Sequence, residues 1–242
     1  MKFVSYIFSA LFAITFFVIL LIFHLFQWVG IKFGYKPHKL TVDYLNWFLV
    51  KSLLILGNTV SFKKHYEIPK DRTIIFVANH QSMFDIPPMI WHLRKHHPKF
   101  VSKIELGKGI PSVSFNLRHG GAALINRKDP KQALSELEAF GKRIQNNKWS
   151  AVIFPEGTRS RTGEPKKFSV NGLKMIIKYN PEALVVPIAI NNSWKVYKYG
   201  KFPLGMFNAI RIQTFEPIPL KDSCVDEVLS QTEKAIKDHI TV

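Results

Sequence analysis

The chain has 242 residues, room for one domain and an appendage, with 34 basic against 17 acidic residues and a net charge of +17. Such an excess calls for an anionic partner: nucleic acid, an acidic membrane surface or a phosphorylated substrate. A single cysteine, Cys224, excludes an intrachain disulfide and any CxxC metal site. Its acidic neighbours Asp222 and Asp226 also disfavour a reactive thiolate.

From Phe3 to Val29 the chain carries no Asp, Glu, Lys or Arg, a run of 27 residues. As a helix it reaches about 40 Å against a hydrocarbon core of about 30 Å, which is too long for a signal-peptide apolar region. Lys2 precedes it and Lys32, Lys36 and Lys39 follow, so a spanning helix would keep the rest of the chain cytoplasmic. A second segment, Leu40 to Val60, mixes Asp43, Asn46 and Lys51 with leucine and phenylalanine. It reads as an amphipathic helix in the membrane interface, with Trp28 and Trp47 as headgroup-level anchors. Sequence alone leaves a spanning and an in-plane pair both open. Residues 1–60 are therefore expected to form a membrane-anchoring helix pair, and 61–242 the working domain.

Beyond residue 60, short apolar runs alternate with helical patterns. Strands are expected at 73–78, 99–103, 122–126, 150–154, 184–190 and 208–215, and helices near 82–95, 111–118, 130–146, 169–179 and 224–240. Asp129-Pro130 pairs a capping carboxylate with proline at a first helical position. Leu134, Leu137, Phe140 and Ile144 then repeat as a core face. The alternation predicts an α/β domain with a mostly parallel central sheet flanked by helices.

Two strand ends carry chemistry. Ile74–Ala78 runs into Asn79-His80-Gln81-Ser82-Met83-Phe84-Asp85. With His80 on the turn and Asp85 in the first helical turns, the carboxylate can hold one ring nitrogen and leave the other free as a base. Ala151–Phe154 runs into Pro155-Glu156-Gly157-Thr158-Arg159, where Pro155 stops the ladder and Gly157 permits a tight turn. If the strands are parallel, Lys103, Arg127 and Arg159 lie at the same sheet end as His80, a cation cluster suited to phosphate. Other features carry less. Ser82 lacks a nucleophile elbow, and His92, His96 and His97 read as a solvated helix end without zinc-ligand spacing. Gly107-Lys108-Gly109 is too short for a phosphate loop. Residues 161–167 read as a basic surface loop.

The His80-x4-Asp85 motif followed by Phe154–Arg159 resembles the glycerolipid acyltransferase family, and within it the bacterial lysophosphatidic acid acyltransferases. Gly121–Arg127 and Val186-Pro187-Ile188 resemble two further blocks of that family. Leu124 and Met83 stand where aromatics are usual. The resemblance covers roughly residues 60–220. It implies acyl transfer from acyl-CoA or acyl-ACP to the sn-2 hydroxyl of lysophosphatidic acid, giving phosphatidic acid. His80 and Asp85 would be catalytic, and Lys103, Arg127, Glu156, Gly157, Thr158 and Arg159 would bind substrate, with backbone amides near Gly157 as oxyanion donors. No cofactor and no metal are implied. The implied location is the cytoplasmic face of a bacterial inner membrane, with the phospholipid bilayer as partner. In related bacterial enzymes an amino-terminal helix pair dips into one leaflet. Other acceptors of the same chemistry, such as glycerol 3-phosphate or lyso-ornithine lipid, stay open. A non-enzymatic, membrane-anchored basic protein binding nucleic acid or anionic lipid is the remote alternative, and the chain has no aromatic-basic nucleic-acid motif.

Overall fold

The computed structural model describes residues 2–241. Two long helices come first, α1 (Lys2–Lys32) and α2 (Tyr35–Ser52), followed by a 3-10 turn at Leu53–Leu56. Then follow β1 (Thr59–Lys64), β2 (Ile74–Ala78), α3 (Ile86–His92), β3 (Pro98–Lys103), α4 (Val113–His119) and β4 (Ala123–Ile125). The remainder is α5 (Pro130–Asn147), β5 (Ser150–Ile153), α6 (Asn171–Lys178), β6 (Leu184–Asn191), β7 (Ala209–Thr214), β8 (Ile218–Pro219) and α7 (Val225–Lys237). The eight strands form one sheet in the order β1-β7-β6-β2-β5-β3-β4, with β8 also on β6. Only β6–β7 and β6–β8 pair antiparallel.

Every side chain of β2 is buried, so alternate residues serve two cores. Ile74, Phe76 and Ala78 face α1, α2 and α3 together with Leu53, Met89 and Leu93. Ile75 and Val77 face α5, α6 and α7, with Phe140, Ile144, Ile176 and Val228. The strands β2, β3, β4 and β5 run parallel, so Ala78, Lys103, Ile125 and Ile153 end at one edge. Pro187 sits in the middle of β6, which proline normally avoids. Here β8 pairs with Leu184 and Val185 and β7 with Ile188 onward, so Pro187 occupies the gap between two partners.

The amino-terminal helices depart from the expected picture in three ways. The second helix runs Tyr35–Ser52, earlier than Leu40–Val60, and Thr59 already belongs to β1, so the sheet begins before the expected boundary at residue 60. Two polar residues of α2 also point inward: Asp43 and Asn46 are buried beside Val42, Leu45 and Leu49, while Leu40, Tyr44, Phe48 and Lys51 are exposed. Finally, α1 is fastened along the domain. Ser5 donates to the Leu204 carbonyl, Ser9 accepts from the Leu204 amide at 2.8 Å, Phe12 packs on Phe84, and the Leu20 carbonyl accepts from Ser112 at 2.6 Å. Those contacts span residues 5–20, about 22 Å of helix. Its remaining faces expose Phe3, Ile7, Leu11, Ile14, Leu21, Leu25 and others. It is the one helix among the described residues long and apolar enough to cross a membrane.

The expected helix 82–95 is broken. Ser82 caps a 3-10 turn at Met83–Asp85, α3 opens with Pro87 and Pro88 in its first turn, and a second 3-10 turn covers Arg94–His96. Prolines are tolerated only there, where their missing N–H groups would have no helical partner. The histidines that follow are not a solvated helix end. His92 stacks on Phe62, His96 is buried, and His97 Nδ1 meets the Tyr35 hydroxyl at 2.7 Å. In α5, Leu137, Phe140 and Ile144 are buried as expected but Leu134 is exposed.

Candidate active site

At the carboxyl end of β2 the chain is held by side chains from distant elements. The Asn79 amide accepts from the Ile190 N–H at 2.7 Å and donates to the Ile190 carbonyl at 2.8 Å, extending the β2–β6 ladder by one rung. The next residue, His80, is therefore aimed by the sheet itself. Its N–H donates to Glu156 Oε1 at 2.8 Å, and its carbonyl accepts from the Ser160 N–H at 2.7 Å. Its ring lies on Phe154, 4.1 Å between centroids and 15° from parallel.

The 3-10 turn brings Asp85 back beneath the imidazole. Asp85 Oδ2 lies 2.8 Å from His80 Nδ1 and also accepts from the Gln81 and Ser82 amides at 2.7 and 2.9 Å. The carboxylate is fully buried. Burying a charge is costly unless it is hydrogen-bonded, and two backbone donors plus a ring nitrogen supply that. With Nδ1 bound, Nε2 is the nitrogen left for chemistry.

Glu156 is buried as well, and its second oxygen accepts from the Lys166 N–H at 2.9 Å. Burial pushes its carboxyl above the usual range, against the opposing pull of the Lys166 and His80 amides. It thus clamps the His80 turn to the basic loop 161–167. The Gly157 N–H closes the turn on the Phe154 carbonyl at 3.0 Å, at a φ of 66°. Of the amides near Gly157, its own is thus already engaged. The Thr158 and Arg159 amides carry no hydrogen bond among the described residues. The Gly157 carbonyl accepts from Arg127.

Gln81 and Ser193, unmarked by sequence reasoning, complete the frame with Ser82. Gln81 accepts from the Ser193 N–H at 3.0 Å and donates to the Gly163 carbonyl at 3.2 Å, and Ser82 shares a hydrogen bond with Ser193. The available signal was an unbroken polar quartet, Asn79 to Ser82, directly after an all-apolar strand.

A cavity of about 950 Å³ opens beside His80. Lys103, Arg127, Gly157, Thr158 and Arg159 line it near the imidazole; Glu156 lies behind the turn and does not. Lys103, Arg127, Thr158 and Arg159 are exposed. Farther in, Phe16, Leu20, Val42, Leu49, Phe84 and Phe100 give it apolar wall from α1, α2, the 3-10 turn and β3, interrupted by polar groups such as Asp43, Asn46 and Lys99. An imidazole ordered by a buried carboxylate and open to a space shaped for hydrocarbon is the equipment of an α/β enzyme that moves acyl groups.

Comparison with known proteins agrees. A family model described as Acyltransferase matches residues 59–191. The 1-acyl-sn-glycerol-3-phosphate acyltransferase of Helicobacter pylori is 36% identical over 172 residues, 68% of this chain and 69% of that protein. The protein of the same name from Saccharomyces cerevisiae is 25% identical over 213 residues, 87% of this chain and 64% of its own length. The solved 1-acyl-sn-glycerophosphate acyltransferase PlsC from Thermotoga maritima shares the fold, with a TM-score of 0.74, 22% identity and coverage of 98% of this chain and 93% of that one. The chain belongs to the acyltransferase family.

Proposed function

We propose that the enzyme transfers an acyl group from acyl-CoA or acyl-ACP to the sn-2 hydroxyl of lysophosphatidic acid, making phosphatidic acid for phospholipid synthesis. The observation that carries the mechanism is the 2.8 Å His80–Asp85 contact at the mouth of the apolar cavity. The relatives' names support the acceptor.

In this scheme His80 Nε2 takes the proton of the sn-2 hydroxyl as its oxygen attacks the thioester carbonyl carbon. Asp85 fixes the tautomer and balances the imidazolium, a role of the kind that contributes on the order of a hundred- to ten-thousand-fold. The Thr158 and Arg159 amides are the donors available to the oxyanion. Collapse of the tetrahedral intermediate breaks the carbon–sulfur bond, and the imidazolium returns its proton to the departing thiolate. The free thiol and the new ester leave. Arg127 and Arg159, with Lys103 beside them, hold the phosphate. Glu156 acts through backbone, by positioning the His80 turn. The scheme needs neither a covalent acyl-enzyme nor a cofactor.

The helix pair holds this edge at a membrane, with α1 lying in the plane of one leaflet. Its fastening to Leu204, Phe84 and Ser112 would be lost if it turned to span. The catalytic edge then faces the cytoplasm, where both thioester donors are made. An acceptor panel with labelled thioester tests the assignment: lysophosphatidic acid is expected to be preferred over glycerol 3-phosphate and lyso-ornithine lipid. Preference for either of those would move the acceptor.

A further inference from the structure

The connection between β3 and α4 places apolar side chains where a solvent-facing loop would carry polar ones. Ile104 and Leu106 are each 39% exposed and Ile110 is 36% exposed, preceded by exposed Lys103 and interspersed with exposed Glu105, which faces Arg127, and Lys108. This backbone is not loose. Residues 104–107 form a 3-10 turn, Arg118 donates to the Gly107 carbonyl at 2.9 Å, and Ser114 Oγ bridges the Leu106 carbonyl and the Ile110 amide at 2.9 and 3.0 Å. The apolar side chains are therefore presented outward on a fixed frame.

Both ends of the segment lead to places already described. Leu106 and Ile110 line the cavity beside His80, and Lys103 begins the segment at the phosphate cluster. At the other end Ser112 bonds α1, its N–H donating to His24 Nδ1 at 3.1 Å and its hydroxyl to the Leu20 carbonyl at 2.6 Å. Beside those two residues on α1, Leu21 and Leu25 are exposed. One apolar surface thus runs from α1 to the rim of the cavity, and lysines border its far part. Apolar side chains edged by lysine suit the acyl–headgroup boundary of an anionic leaflet. They suit an anionic carrier protein less well, because that would leave the strip from α1 onward against water.

We propose that residues 104–110 form a second bilayer contact, a lip at the cavity mouth seated in the same leaflet as α1. Through it the acyl chain of a lysolipid acceptor slides from the leaflet into the cavity without crossing water. The inference rests on the in-leaflet placement of α1 given above.

The test uses full-length protein on vesicles of phosphatidylcholine and phosphatidylglycerol. Single spin labels are placed by Ile104→Cys, Leu106→Cys and Ile110→Cys in a Cys224→Ser background. Leu25→Cys serves as the lipid reference and native Cys224, exposed at the N-cap of α7, as the aqueous one. Collision with oxygen against a water-soluble nickel chelate reads the depth. The labels at 104, 106 and 110 are expected to group with Leu25→Cys. If they group with Cys224 while Leu25→Cys lies in lipid, the lip is overturned and the anchor stands. If Leu25→Cys is also aqueous, the anchor fails and the lip with it. A functional arm uses Ile104→Asp, outside the cavity lining. It should lower acylation of long-chain lysolipid in vesicles by about tenfold, from the cost of a carboxylate at the leaflet, and spare a short-chain acceptor dissolved as monomer. Equal loss on both acceptors would overturn the entry role.

Discussion

Two buried charges line up along the same sheet and meet opposite fates. Asp85 lies in the turn beyond the carboxyl end of β2, whereas Lys99 sits within β3, level with Ala151 of β5 and, through it, Ile75 of β2. Both are almost wholly inaccessible. Asp85 is met by two backbone amides and a ring nitrogen. Lys99 is met by the faces of Tyr35 and Trp149, 4.7 and 4.4 Å from its ammonium. Burial drives its pKa down to about 7, nearby Lys39 adds to the fall, and Asp43 opposes it. Backbone donors satisfy the Asp85 oxygen directly, whereas the aromatic faces and Asp43 around Lys99 do not offset the cost of its burial.

Asp85→Asn sharpens the first half of that contrast and carries the largest effect. The amide can keep one acceptor oxygen on the backbone donors but loses the charge that balances the imidazolium, and the change should cost at least about a hundred-fold in turnover. Steady-state rates on the folded variant check it.

Lys99→Met sharpens the other half. Below pH 7 the lysine is protonated folded and unfolded, so the folded state bears the whole desolvation cost. Between about 7 and 10.5 only the unfolded chain keeps the proton, so wild-type stability rises with pH through that window. The methionine variant should be more stable by about 2 kcal/mol at pH 6, after allowing for lost cation–π contact, with the gain fading as pH approaches 10.5. Urea titrations at three pH values read this, and a pH-independent difference would break the contrast.

Glu156→Gln keeps shape but can accept only one of the two backbone bonds, to His80 or to Lys166. About tenfold loss in kcat with little change in KM is expected if Glu156 only positions the turn. Smallest is Arg127→Lys, which loses the fork and the bond to the Gly157 carbonyl. It should raise KM for lysophosphatidic acid by about threefold to tenfold and spare slow thioester hydrolysis. Equal change in both activities would assign Arg127 to the turn rather than the phosphate.

The central strands were legible because each is apolar, short and followed by a turn residue; β2, β5 and β6 all lie where alternation put them. β1 was missed because Thr59–Lys64 is an edge strand exposing Thr59, Ser61, Lys63 and Lys64, with too little apolar content to stand out from the helix before it. The inward polar face of α2 was missed for a related reason: hydropathy registers amphipathicity, not which side meets lipid. At the site, His80 and Asp85 stood out by spacing. Asn79, Gln81 and Ser82 did not, because their partners Ile190 and Ser193 lie over a hundred residues away. Which of the amides near Gly157 is free was not legible, because only the turn geometry shows that the Gly157 N–H is spent on Phe154.

The most direct test is a double-mutant cycle on vesicle-bound full-length enzyme, following phosphatidic acid formed from labelled thioester and lysophosphatidic acid. His80→Ala should lose at least about a hundred-fold, and adding Asp85→Asn to it little more, because the pair acts as one unit. Product formed at the wild-type rate by folded His80→Ala, or losses that simply multiply, would contradict the account.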